Sequence, residues 1–189
     1  LTDWELVEQA QAGRLDAFEE LVKRYEKPLV GFCLRLVPSR EDAEDLAQES
    51  FVRVYRHLDR LKPNAKFSTV LFGIARNLTL NHIRDGKRRG RHMASPLTPE
   101  ENAERAVQDE RRRPDTVANL HEMQGLIEKG LQELSREHRE VLVLREMEGL
   151  DYDSIAKIIK CRKGTVKSRI ARAREHLRQR LIELGGDKG

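Results

Sequence analysis

The sequence predicts an all-α protein: two small helical domains joined by a flexible linker, with a helix-turn-helix in the C-terminal domain. Three observations carry that expectation. Apolar residues recur at three- and four-residue steps along most of the chain, and no alternating strand pattern occurs. Between about Lys87 and Thr116 this period stops, leaving three prolines (Pro96, Pro99, Pro114), many charges and almost no large apolar residue. Charged residues make up 36% of the 189 positions, against 38% hydrophobic and 5% aromatic, so narrow apolar stripes on small units fit better than one thick core. The expected division is 1–90, a linker over 91–120, and 121–189.

The elements follow in order. Asp3 is placed to cap a first helix carrying Leu6, Val7 and Ala10, with Gly13 as its stop. Asp16, with Glu19 three residues on, reads as a capping box for a second helix. Its stripe is Phe18, Leu21, Val22, Tyr25, Leu29, Phe32 and Leu36, with a kink expected at Pro28 and an end at Pro38. Ser39 and Asp42 restart the chain as a third helix, whose stripe is Ala43, Leu46, Ala47, Phe51, Val54 and Leu58. Lys62, Pro63 and Asn64 break it. A fourth helix starts near Ser68 and buries Leu71, Ile74, Ala75, Leu78 and Ile83.

Beyond the linker, where transient helix is expected around Glu100 to Arg111, Leu126, Ile127, Leu131 and Leu134 form a stripe. Ser135 is placed to cap the next helix, with Val141, Leu142, Leu144 and Met147 on its apolar side and Gly149 as its stop. A short helix over 151–159, with Ile155, Ala156 and Ile159 inward, a tight turn over 160–164 and a long helix carrying Val166, Ile170, Ala173, Leu177 and Leu181 complete the chain. Short helix, turn and second helix is the arrangement that places a reading helix in the DNA major groove. The face opposite the last stripe presents Lys167, Ser168, Ala171, Arg172, Glu175 and Arg178. The Ala171 methyl lets the backbone approach base edges, and the bases around it suit phosphate or guanine.

Charge is unevenly placed. Lys plus Arg is 36 and Asp plus Glu is 32, a net charge of +4. The bases cluster at Arg84, Lys87, Arg88, Arg89 and Arg91 and again from Lys160 to Arg178; the acids gather at Glu41, Asp42, Glu44, Asp45 and Glu49. Two polyanion contacts and one contact with a basic protein surface fit this pattern, and so do solvated helix faces. Asn77 and Asn81, four apart, share a helix face, and amides pair well with exposed base edges. Arg76, Arg84 and Lys87 stand near them as phosphate contacts.

Several classes are disfavoured. No apolar run reaches membrane length. Cys33 and Cys161, the only cysteines, do not make a disulfide framework. No leader pattern opens the chain, so a cytoplasmic place with reduced thiols is expected. The Lys163-Gly164-Thr165 triplet lacks the glycines of a phosphate loop, and Glu137-His138 reads as surface rather than metal ligation. No catalytic group, metal, cofactor or small-molecule substrate is expected. A nuclease would need clustered carboxylates around a metal.

The stretches Asp42-Ala43-Glu44-Asp45-Leu46-Ala47-Gln48-Glu49-Ser50-Phe51, Phe67-Ser68-Thr69, Ile74-Ala75-Arg76-Asn77 and Gly164-Thr165-Val166-Lys167-Ser168-Arg169-Ile170-Ala171-Arg172-Ala173-Arg174 together resemble a bacterial sigma factor of the extracytoplasmic-function group. The resemblance covers nearly all of the chain outside the linker. It implies that Asp42, Asp45, Gln48 and Glu49 dock on the β′ clamp helices of core RNA polymerase, with the β subunit a further partner. It implies that Phe67, Ser68, Thr69, Asn77, Asn81 and Arg84 melt and read the minus-ten element, one base entering a pocket of the loop from Asn64 to Thr69. It implies that Lys163, Thr165, Lys167, Ser168, Ala171 and Arg172 read the minus-thirty-five element. The linker would thread toward the RNA exit path, and an anti-sigma factor would hold the chain inactive. Many relatives carry Trp after the Phe-x-x triplet, where this chain has Val70. Either melting is supported differently here, or that Trp is a packing residue that Val partly replaces. The C-terminal half alone also fits a helix-turn-helix regulator that never binds polymerase; the acidic helix and the amide-bearing helix distinguish the two.

Overall fold

The computed structural model describes residues 1–88 and 114–186. Four helices form the N-terminal domain: α1 (Asp3–Gln11), α2 (Leu15–Leu34), α3 (Arg40–Arg56) and α4 (Phe67–Arg88), with a 3-10 turn, Leu58–Arg60, between the last two. The C-terminal domain comprises α5 (Pro114–Glu133), α6 (Arg136–Leu142), a π-type turn (Val143–Met147), α7 (Tyr152–Ile159) and α8 (Lys163–Gly186). Most of the expected 91–120 linker, and the helix expected around Glu100 to Arg111, lie outside the described residues; α5 begins at Pro114, inside that range. Among the described residues no helix is long and apolar enough to cross a membrane.

The predicted stripes supply the core, though Val22, Tyr25 and Ile74 are only half-buried against it. Leu21, Leu29, Phe32, Ala43, Phe51, Val54, Leu71, Ala75 and Leu78 are buried where α2, α3 and α4 pack on one another, and the Phe32 and Phe72 rings meet edge to face at 5.5 Å. Cys33 lies in this core, and burial pushes its thiol up to about 11. In the C-terminal domain Val141, Leu142, Leu144, Ile155, Ile159, Val166, Ile170 and Ala173 are buried between α6, α7 and α8. Ile158 joins them, whereas Ala156 is half-buried and Met147 is exposed.

Several local expectations are corrected. Thr2, not Asp3, caps α1: its hydroxyl accepts from the Glu5 N–H while the Glu5 carboxylate accepts from the Thr2 N–H, a reciprocal box that leaves Asp3 in the first turn. The box read at Asp16 and Glu19 does not form. The helix starts a residue earlier, at Leu15, and Asp16 pairs instead with Arg14 at 2.8 Å. Pro28 stands inside α2, which ends at Leu34, before Pro38. Ser39 does cap α3 through the Asp42 N–H, and Ser135 caps α6 through the His138 N–H. Gly149 has φ +64°, the left-handed conformation expected of a stop. The turn between α7 and α8 reverses at Lys160 (φ 56°), and α8 already begins at Lys163.

The two domains pack on each other through α4 and α7. Arg76 of α4 pairs with Glu140 of α6, and Arg35 pairs with Glu128 of α5 at 2.5 Å. Arg139, whose guanidinium closes the end of α5 by donating to the carbonyls of Leu131, Gln132 and Leu134, also donates to the Arg35 carbonyl at 2.9 Å. Cationic donors at a helix C-terminus satisfy carbonyls that the helix itself leaves open.

Candidate nucleic-acid interface

Three faces carry the residues singled out from the sequence. The first lies on α3. Burial of Ala43, Leu46, Ala47, Phe51 and Val54 leaves the opposite side in water, where Asp45 and Gln48 are exposed beside Val52 and Tyr55. Asp42 and Glu49 are half-buried. Asp42 lies 3.3 Å from the His82 imidazole of α4, and Glu49 accepts from Arg53 on its own helix at 2.9 Å. Asp45 and Gln48 are therefore the more open members of this acidic group.

The second face is formed by α4 and the segment before it. Phe67, Ser68 and Thr69, which the motif groups with DNA contact, are buried, Phe67 being 1% exposed and in ring contact with Tyr25 at 5.6 Å. They form the first turn of α4, and Phe67 and Ser68 line the cleft beside the loop. Asn77, Asn81 and Arg84 are exposed on α4. Arg76 is not with them: its guanidinium is turned to the buried Glu140. A cleft of about 530 Å3 opens between the loop at Pro63–Ser68 and Asp3, Trp4 and Tyr25. The Tyr25 hydroxyl donates to Asp3 at 2.5 Å, and burial, then this bond, raises the phenol above its ordinary range. The Trp4 indole N–H donates to the Ala65 carbonyl at 2.9 Å. Sequence reasoning missed Trp4, Asp3 and Tyr25 as neighbours of the loop; that Trp4 is the chain's single tryptophan is the only signal that could have drawn attention to it.

The loop is also touched from the other domain. Lys66 donates to Asp151 at 2.7 Å, and Lys157 of α7 donates to the Asn64 carbonyl at 3.4 Å. Asp151 at the same time caps α7, accepting from the Ser154 N–H at 2.7 Å. The Lys66 bond, followed by that cap, holds the Asp151 carboxyl well below its ordinary range.

The third face is on α8. Lys163, Lys167, Ser168, Ala171 and Arg172 are exposed and Thr165 is half-buried, while Val166, Ile170 and Ala173 on the opposite side are buried. Lys163 pairs with Asp153 of α7 at 2.7 Å, and Ser168 donates to the Thr165 carbonyl at 3.0 Å. Glu175 and Arg178, on the same side, are paired with each other at 2.7 Å. The Ala171 backbone thus stands open among basic side chains, as a groove reader requires. Cys161 is half-buried in the turn, its thiol 3.5 Å from the Arg162 carbonyl.

Comparison with known proteins bears on both domains. A model of sigma-70 region 2 matches residues 21–89, and one of sigma-70 region 4 matches residues 124–177. The chain is 36% identical over 187 residues to the RNA polymerase sigma-H factor of Pseudomonas aeruginosa, covering 96% of this chain and 95% of that one. It is 36% identical to the ECF RNA polymerase sigma-E factor of Haemophilus influenzae, with 97% of each covered, and 34% identical to that of Escherichia coli K12, with 97% and 96% covered. In fold it is similar to the sigma factor RpoE of Bartonella quintana in complex with the anti-sigma factor NepR (TM-score 0.67, 24% identity, 87% and 96% covered). It is likewise similar to CnrH in complex with the cytosolic domain of CnrY (TM-score 0.66, 24% identity, 96% and 97% covered). With both sigma-70 regions matched in order and full-length relatives above 30% identity, the chain belongs to the extracytoplasmic-function group of RNA polymerase sigma factors.

Proposed function

We propose that this sigma factor docks on the β′ clamp helices of core polymerase through the α3 face of Asp45 and Gln48, with Asp42 and Glu49 at its edge, and has the β subunit as a further partner. Asn77, Asn81 and Arg84 read and hold the unpaired minus-ten strand. Phe67, Ser68 and Thr69 act from below, as the floor that sets the loop backbone. Lys163, Thr165, Lys167, Ser168, Ala171 and Arg172 read the minus-thirty-five duplex. The N-terminal domain serves promoter melting, and the C-terminal domain, which begins with α5 at Pro114, serves duplex reading.

The observation that carries this reading is the presence, on one chain, of an exposed acidic face on α3 and an exposed basic face on α8. A regulator acting without polymerase needs only the second. Asn64 and Lys66 are engaged by α7, so strand capture at the loop requires the domains to part. An anti-sigma factor that favours the packed form would then act against promoter opening. The NepR-bound fold neighbour supports such a partner.

The test is a pull-down with core RNA polymerase, followed by transcription from a promoter library. Stable binding and selective initiation are expected. Duplex binding without polymerase binding would instead make the chain a stand-alone regulator.

A further inference from the structure

The sigma-70 region 2 match begins at residue 21, so α1 lies ahead of it. Yet α1 sends two side chains to the backbone of the segment between α3 and α4. Gln11 donates from its amide to the Leu58 carbonyl at 2.8 Å and the Leu61 carbonyl at 3.2 Å. Trp4 donates from its indole to the Ala65 carbonyl at 2.9 Å. The segment does little to hold itself there: past the 3-10 turn, its internal backbone bond among the described residues is Asn64 N–H to the Lys62 carbonyl, at 2.8 Å. The apolar residues of α1, by contrast, go to the core, with Leu6, Val7 and Ala10 buried. One helix therefore uses its apolar side for packing and its polar groups for the loop.

The same helix supplies a wall. Asp3 and Trp4 of α1 line the cleft beside the loop together with Tyr25, Ala65, Lys66 and Phe67. Asp3 is held in place by the Tyr25 hydroxyl and by Arg24 at 3.1 Å. An aromatic wall, a carboxylate and a lysine at the rim suit an unstacked base with its phosphate outside.

We propose that α1 is the positioning element of the minus-ten loop: Trp4 fixes the loop tip through Ala65, Gln11 fixes its base through Leu58 and Leu61, and Trp4 with Asp3 closes the cleft that takes one unpaired base. The proposal rests on reading that loop as the strand-binding one. It also gives the position after the Phe-x-x triplet a physical context: Val70 of α4 supplies no indole, and the indole that supports the loop comes from α1 instead.

The test uses the full chain assembled with core polymerase, as parent, Trp4→Phe and Gln11→Leu. Trp4→Phe keeps an aromatic ring and removes the donor. Two labelled single strands serve as probes: one carrying the minus-ten sequence selected from the promoter library, one scrambled. The ratio of their affinities is read, together with minus-thirty-five duplex binding and thermal unfolding of each variant. The ratio should fall about three- to tenfold in either variant, the scale of one lost hydrogen bond, and base preference should flatten at a single strand position. Duplex binding should match the parent, and thermal unfolding should shift by no more than the loss of such a hydrogen bond allows. An unchanged ratio in both variants overturns the proposal. So does an equal loss on both strands, which would make Trp4 a packing residue. A parent that itself shows no preference between the strands overturns the underlying reading of the loop, a different result from variants that match a selective parent.

Discussion

Arg76 of α4 and Glu140 of α6 form an ion pair that joins the two domains, and Glu140 is only 2% exposed. A carboxylate so enclosed depends on its partner. Removing one member of a buried pair costs about 3–5 kcal/mol, because the remaining charge is left without water or a counter-ion. Here the chain has a way out: the domains can separate and wet Glu140. Arg76→Ala should therefore expand the molecule in small-angle scattering while the helical signal in circular dichroism is kept. The double variant Arg76→Met, Glu140→Leu should stay compact, since an apolar pair of similar volume has no charge to hydrate. An Arg76→Ala chain as compact as the parent would show that this pair does not hold the domains together.

Glu148 gives the packed form a pH dependence. Burial pushes its carboxyl up to about 7 from the ordinary 4.5, against a smaller opposing pull from Arg35. The folded chain thus binds this proton more tightly than the unfolded one. The stability it contributes is complete below about pH 4.5 and is lost as pH rises through 7. Asp151 has the opposite sign, its carboxyl lying below the ordinary 3.8, so its contribution is lost only in acid, outside that window. Thermal unfolding from pH 5 to 8 should show declining stability in the parent and a flatter profile in Glu148→Gln. Equal slopes would remove Glu148 as the cause.

For polymerase docking, Asp45→Lys with Glu49→Lys should abolish binding to core polymerase. The α3 stripe beneath is untouched, and surface substitutions such as that of the exposed Asp45 cost under about 0.5 kcal/mol, so unfolding should change little. Glu49 also pairs with Arg53, a solvated i,i+4 contact worth only a few tenths of a kcal/mol. Binding equal to the parent's in a pull-down would take this face out of the polymerase interface.

What could be read from the sequence was what periodicity controls. The stripes of α2, α3 and α4 and the α7–α8 pair follow from spacing alone, because burial of one helix side leaves a repeating trace. For the same reason Asn77, Asn81, Ala171 and Arg172 could be placed on open faces. Caps were less legible. Thr2 and Asp3 are both good cap residues, and only the backbone decides between them; at Asp16 a nearby Arg14 outcompeted the expected box. Least legible were contacts between distant segments. Nothing in the spacing of Arg76 distinguishes a phosphate ligand from the partner of Glu140, 64 residues on. Trp4 and Ala65 are likewise 61 residues apart. Such contacts are fixed by how helices pack, and no local pattern records them.

The most direct measurement addresses strand reading by α4. Opening the duplex requires unstacking bases, at a few kcal/mol for each flipped base. Asn77 and Asn81 stand exposed on α4, and the proposed reading has them repay part of that cost. Permanganate footprinting of the holoenzyme should be carried out on a duplex promoter and on one already unpaired at the minus-ten element. With Asn77 and Asn81 both replaced by Ala, reactivity on the duplex promoter should fall sharply. On the unpaired template the loss should be smaller, because the unstacking cost is partly removed, but it should remain, because the base contacts are gone. A double variant that opens the duplex promoter as well as the parent would contradict the assignment of this helix to strand reading.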